Sequence, residues 1–278
     1  MDMHYTKGNS DMKKAKLLVG MLITMLLSGC IVFSAGAEEM PAQVGGYITF
    51  GHYEQDNNLE NGPEPIEWQV LDARDGRALV ISLYGLDTRP IHNTDEPATW
   101  ESCDLRTWLN GEFIKTAFTE AEIAAIVTVT VEAHEGIDSY MLGATEDINP
   151  GNDTQDQIFI LSEREVRGDA GYNYFGGPNS RICKATEYAI AQGAWAYDGR
   201  YYEPTPQEIR SGEWDSGAGK CFWWLRSPGI VQGSFVCATY EGYLWISDHV
   251  NHTKEIFFGD PNYTGYITVR PAMWIELG

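Results

Sequence analysis

The stretch Cys221 to Gly229, CFWWLRSPG, limits the fold of this chain more than any other. Neighbouring side chains of a strand point to opposite faces of its sheet, so Trp223 and Trp224 cannot form one aromatic platform. Cys221, Trp223 and Leu225 share one face and read as core. Phe222, Trp224 and Arg226 share the other, which meets either a second packed layer or a ligand. In the first case Arg226 turns inward to a carboxylate or to backbone carbonyls. In the second it presents a cation beside an indole, and a cation–π pair with Trp224 fits both.

The rest of the pattern is strands first, then short helices, then strands again. Gly46 to Phe50 and Ile66 to Leu71 are strand-like runs separated by a loop at Gln55–Pro65 rich in Gly, Pro and Asn. Arg74-Asp75-Gly76-Arg77 places an Asp-Gly turn between WQVLDA and ALVISLY, a hairpin signal. Leu105, Trp108, Leu109 and Phe113 recur at helical spacing behind Ser102 or Asp104 as caps. Thr119 to Glu122 and Ser162 to Glu165 match capping boxes. IVTVTVEA and QIFILS read as strands, and ATEYAIAQGA as a helix ending at Gly193. CFWWLRS, SFVCATY, GYLWISD and ITVRPAMWIEL close the chain as a strand meander. The expectation is a single α+β domain over residues 38–278, with short helices in the first two-thirds.

Residues 1–37 are expected to be a signal peptide. Lys13, Lys14 and Lys16 precede an apolar run from Leu17 to Leu27, and no charge follows until Glu38. Two processing sites compete: Ala35-Gly36-Ala37 fits A-x-A cleavage, and Leu27-Ser28-Gly29-Cys30 fits a lipoprotein signal of residues 1–29, with Cys30 lipidated. Both place the domain outside the cytoplasm, either secreted or anchored to the outer face of the cell membrane. Removing 1–37 takes away four lysines and two aspartates, shifting the net charge from −21 to −23. Such a surface repels nucleic acid and anionic lipid, so the membrane enters only through a lipid anchor. Cys103, Cys183, Cys221 and Cys237 remain, enough for two disulfides in any of three pairings. None lies in a C-x-x-C pair, so zinc and redox motifs have little support.

The blocks TWESCDLRTWLNGEF, GNDTQDQIFILSEREV, CKATEYA, WWLRSPG and VRPAMWIEL, in this order, resemble a bacterial extracytoplasmic domain of unknown function. The WWLRS-type strand and the closing RPA segment are also similar to the C-type-lectin-like fold, which includes formylglycine-generating-enzyme-like domains. That second resemblance implies a C-type-lectin-like domain, but not the chemistry of its best-known members. Cys221 and Cys237 stand sixteen apart, too far for a closely spaced copper-holding pair. Glu203 to Glu208, EPTPQE, lacks the Asn or Asp of a calcium-dependent sugar site, and no Trp-Asn-Asp occurs.

Asp147, Asn149, Asp153 and Asp156 have the spacing of oxygen ligands and form the one calcium candidate. Ile158 stands where an EF-hand needs its bidentate acid, so an Asx-rich turn is the competing reading. His249 and His252 are clustered without a clear third ligand. No G-x-S-x-G is present, so no hydrolase nucleophile stands out. No cofactor is called for. The composition points to a cell-envelope binding module, not a catalyst, with a glycan or a protein surface as ligand and with Trp224, Arg226, Tyr243 and Trp245 as its contacts. The alternatives are a carbohydrate-active hydrolase with a carboxylate pair yet to be located, and a structural envelope protein.

Overall fold

The hairpin at Arg74–Arg77 organises the first sheet. Asp75 and Gly76 both take positive φ, 52° and 73°, the mirror-image turn whose twist matches that of the strands it joins. It links β2 (Glu64–Arg74) to β3 (Arg77–Ser82), with Arg74 opposite Arg77 and Val70 opposite Val80. β1 (Tyr47–Tyr53) pairs with the far edge of β2. Ile66, Trp68 and Val70 alternate inward along β2, and the Trp68 indole donates to the Phe50 carbonyl at 2.6 Å. The structure is a computed structural model, and it describes residues 42–94, 96–134, 148–169, 171–199, 217–246 and 266–278. The signal segment 1–37 with Cys30, Asp147, and the His249–His252 pair lie outside the described residues.

Strand outweighs helix, 34% against 18%, so sheets carry the fold and helices fill short connections. After β4 (Asp87–Thr88) come α1 (Asp104–Trp108), a π turn (Leu109–Phe113) and α2 (Ile114–Ala117). The cap of α1 is neither Ser102 nor Asp104. The Cys103 sulfur accepts from the Arg106 N–H at 3.5 Å, while Ser102 turns back to the Thr99 N–H. Thr119 caps α3 (Glu120–Ala125) and Ser162 caps α4 (Glu163–Arg167), each through a complete capping box. α5 (Pro178–Arg181), β8 (Cys183–Lys184) and α6 (Glu187–Ala191) follow.

Two of the strand expectations are corrected. IVTVTVEA is not one strand: β5 (Ile126–Val127) joins the first sheet, and β6 (Val129–Val131) leaves it to pair with β7 (Thr154–Asp156). QIFILS forms no strand. Phe159 exchanges hydrogen bonds with Ala272 while Leu161 accepts from the Arg226 N–H at 3.0 Å. The segment touches two sheets in turn and ladders along neither.

The closing region holds β9 (Lys220–Cys221), β10 (Trp223–Pro228), β11 (Phe235–Ala238), β12 (Leu244–Ile246), β13 (Thr268–Val269) and β14 (Ala272–Glu276). β10, β11 and β12 are the expected antiparallel meander. The last segment departs from it. β13 lies parallel to β10, and β14 crosses into the first sheet between β3 and β5. The first sheet therefore runs β1-β2-β3-β14-β5 and the second β12-β11-β10-β13-β4, with β8 and β9 paired separately. β10 is central in the second sheet, and every residue from Trp223 to Pro228 is buried.

Two glycines test the backbone. Gly76 and Gly242 share the left-handed region, at φ 73° and 78°. A Cβ on Gly76 would meet nothing within 4 Å, but one on Gly242 would sit 1.8 Å from the Pro178 carbonyl oxygen. Gly76→Ala should lose only the backbone cost, about 1–2 kcal/mol. Gly242→Ala must also displace the Pro178 segment and should lose clearly more. Urea midpoints of the two variants check this, and equal midpoints would count against the close approach.

Candidate functional site

A cleft of about 340 Å³ lies between the end of β1, the β1–β2 loop, the helical block and α6. The π turn shapes it. One extra residue per turn places Trp108, Glu112, Phe113 and Thr116 along the same wall, and single π turns inside helices are frequent at functional sites. Asn110, at the back of this turn, locks it to the core. Its Oδ1 accepts from the Gln157 and Ile158 N–H groups, and its Nδ2 donates to the Ile158 carbonyl at 2.8 Å.

Aromatic rings make most of the floor. Phe113 lies 5.1 Å from both Tyr53 and Trp108, and Tyr188 meets Tyr53 edge-on at 5.9 Å. Arg89 crosses this floor with its guanidinium 4.3 Å from the Trp108 ring. Asp87 and Glu112 flank it at 3.7 and 3.9 Å. Asp87 is buried and accepts from the Tyr53 hydroxyl and the Thr88 N–H, both at 2.6 Å. Burial pushes the Asp87 carboxyl up against the pull of these donors and of Arg89. Burial and then the Asp87 charge raise Tyr53 far above the ordinary phenol range, so its proton stays on the hydroxyl.

Two polar atoms around the cleft, Trp108 Nε1 and Glu54 Oε1, are buried without a hydrogen-bond partner, and Arg89 Nε has only its ion pair with Asp87. Buried polar groups are nearly always paired, so such a concentration needs a reason. The Glu54 carboxyl is pushed up by burial and by the charges of Glu64 and Asp56. These three acids bring oxygen atoms within 4.8 Å of one another. Glu64 and Asp56 already accept from the loop, at the Gln55 and Asn58 N–H groups, and an exposed acidic cluster by itself is not a metal site.

Over residues 75–277 the chain matches the family described as Domain of unknown function (DUF6273). It belongs to that family. No curated protein and no solved structure matches the chain. Arg89, Trp108, Glu112 and Tyr188 of the cleft fall inside the DUF6273 match, and Tyr53 and Glu54 precede it.

The four residues expected as ligand contacts are not one site in this DUF6273 domain. Trp224 is 1% exposed and Arg226 6%, because the central strand β10 is covered on both faces. This corrects the expectation of an open face. Trp224 Nε1 donates to the Arg89 carbonyl at 3.0 Å, so this indole supports the cleft from behind. Arg226 does not stack on Trp224. Its guanidinium lies 5.8 Å from the Phe159 ring, and its Nη1 donates to the Ile160 carbonyl and the Glu165 carboxylate, at 2.8 and 2.6 Å. The pair floors a second hollow of about 200 Å³ rimmed by Tyr172, Tyr174 and Trp274. Tyr243 and Trp245 are exposed, 60% and 48%. Tyr243 precedes the edge strand β12 and Trp245 lies on it, apart from the cleft.

Of the calcium candidates, Asn149, Asp153 and Asp156 lie within the described residues, and each accepts hydrogen bonds from the protein. Asp156 is buried against Arg106 Nε at 2.7 Å and accepts from Trp100 and Thr154. Asp153 accepts from the Ala133 N–H and Asn149 from the Gly151 N–H. Asn149 makes the Asx turn of the competing reading. Sequence reasoning missed the actual cleft because Trp108 and Phe113 carry the helical spacing of core residues. The one available signal was Asn110-Gly111, an awkward pair inside a helix, where the π turn forms.

Burial alone would lift the Glu165 carboxyl, but Arg226 and the Ser162 donors hold it below its ordinary value. A lowered folded value contributes stability above the unfolded value, and that stability is lost as pH falls through the folded one. Glu165→Gln should therefore be less stable than wild type at pH 7, with the gap narrower at an acidic pH below the ordinary carboxylate range. Arg226→Ala, which strands a buried carboxylate, should cost about 3–5 kcal/mol at neutral pH. Denaturant titrations at the two pH values check both, and a pH-independent gap would refute the ion-pair account.

Proposed function

We propose that this DUF6273 domain is an extracytoplasmic binding module that takes a glycan in the cleft between the β1–β2 loop and the π turn. One observation carries the reading: aromatic rings, the part-exposed Arg89 guanidinium and the unpartnered Trp108 Nε1 converge on the same cleft. A sugar ring offers a C–H face to the half-buried Tyr188 and hydroxyls to the Arg89 guanidinium and the Glu112 carboxylate on the open side of the cleft, which combines the apolar area and fixed polar contacts of small-ligand sites. The net charge of −21 supports a neutral or cationic ligand over an anionic one. The N-terminal segment supports export, by cleavage after Ala37 or by lipidation at Cys30. A C-type-lectin-like plan is supported by the pairing of the two blocks that carry the resemblance, Trp223 of β10 beside Thr268 of β13.

A second reading, a carbohydrate-active hydrolase, is favoured by one specific feature. Glu54, with its raised carboxyl, and Glu112 line the same cleft, and glycoside hydrolysis uses one protonated and one ionised carboxyl. A glycan array followed by calorimetry on envelope polysaccharide fragments separates the readings. Binding should fall at least about tenfold, roughly 1.4 kcal/mol, in Tyr188→Ala, while the Tyr243→Ala variant binds like wild type. Turnover abolished by Glu54→Gln would make the protein a hydrolase. No binding to any glycan would leave the structural-protein reading.

A further inference from the structure

We propose that Cys183 and Cys221 form a disulfide through exchange with a disulfide-donating thiol oxidoreductase, leaving Cys103 and Cys237 as thiols. The two cysteines are direct cross-strand partners in the β8–β9 ladder. Antiparallel partners hold their Cα atoms about 4.5–5.5 Å apart, inside the window a disulfide requires. The Cys183 sulfur donates to the Leu83 and Lys184 carbonyls, at 3.7 and 3.5 Å. The Cys221 sulfur lies 3.5 Å from the Cys183 carbonyl and 3.4 Å from the Thr268 hydroxyl.

The other two cysteines have no such neighbour. Cys103 is occupied as the cap of α1, donating to the Trp100 carbonyl and accepting from Arg106, and its thiol is pushed up to about 12 by burial. Cys237 is pushed up to about 12 by burial alone, with no partner group contributing. Of the three pairings open to four cysteines, the fold therefore favours one bond and not two.

Either cysteine can attack first. One of the pair, as its thiolate, displaces one sulfur of the donor's disulfide to give a mixed disulfide. The other, losing its proton, attacks the sulfur of the first and expels the donor's second sulfur. Two electrons pass to the donor, whose sulfurs leave as thiols carrying the two protons. Both cysteines are at most 1% exposed once folded, so exchange takes place before the β8–β9 ladder closes. The bond would fasten the chain between residues 183 and 221.

The test is disulfide mapping of the full chain, produced once in an oxidising and once in a reducing compartment. Each folded protein is acid-quenched, alkylated and digested without reductant. The oxidised product should yield a Cys183–Cys221 cross-linked peptide two hydrogens lighter than the separate peptides, with Cys103 and Cys237 alkylated. The same peptide should persist in Cys103→Ala and in Cys237→Ala. Full alkylation of Cys183 and Cys221 in the oxidised product would overturn the proposal, as would a bond from either to Cys103 or Cys237.

Discussion

Arg270 is the constraint around which the two sheets are fitted. It sits between β13, in the second sheet, and β14, in the first. Its Nε donates to the Ser82 carbonyl at the end of β3, at 2.7 Å, while its guanidinium lies 5.0 Å from the Trp223 ring of β10. A buried cation is costly unless its donors and its charge are answered. Here a carbonyl from one sheet and an aromatic face from the other answer part of that cost, with Nη1 left without a hydrogen-bond partner, so either sheet moving away would leave the charge still less compensated. Trp223 is in turn fixed by its Nε1 bond to the Arg181 carbonyl.

The cleft inherits this rigidity. Trp224, next to the residue that receives Arg270, reaches the other way and holds the Arg89 carbonyl. Arg89 then lies across Trp108, between Asp87 and Glu112. A continuous chain of contacts thus runs from the seam of the sheets to the wall of the cleft. The paired tryptophans of CFWWLRSPG work on opposite sides of this chain, one in the seam and one beneath the cleft.

Local signals in the sequence were legible wherever a few residues decide the conformation. The Asp75-Gly76 turn and both capping boxes form as their side chains require, because each is settled within four residues. What escaped was set by distant partners. QIFILS has the composition of a strand but spends its backbone on two different sheets. Arg226 fits an inward or an outward cation on strand alternation alone, and Glu165, sixty-one residues away, decides for the inward reading. The strand alternation of Trp223 and Trp224 was correct, but it could not tell a covered face from an open one. Only the position of β10 at the centre of its sheet decides that.

The β1–β2 loop has a different standing from the rest of the cleft. Leu59, Gly62 and Pro63 contribute one wall and precede the DUF6273 match, which begins at residue 75, whereas the opposing wall lies within it. The cleft thus joins one wall inside the family match to one outside it. Substitutions in this short loop, where Leu59 is 75% exposed, reshape the cleft and leave the buried core untouched.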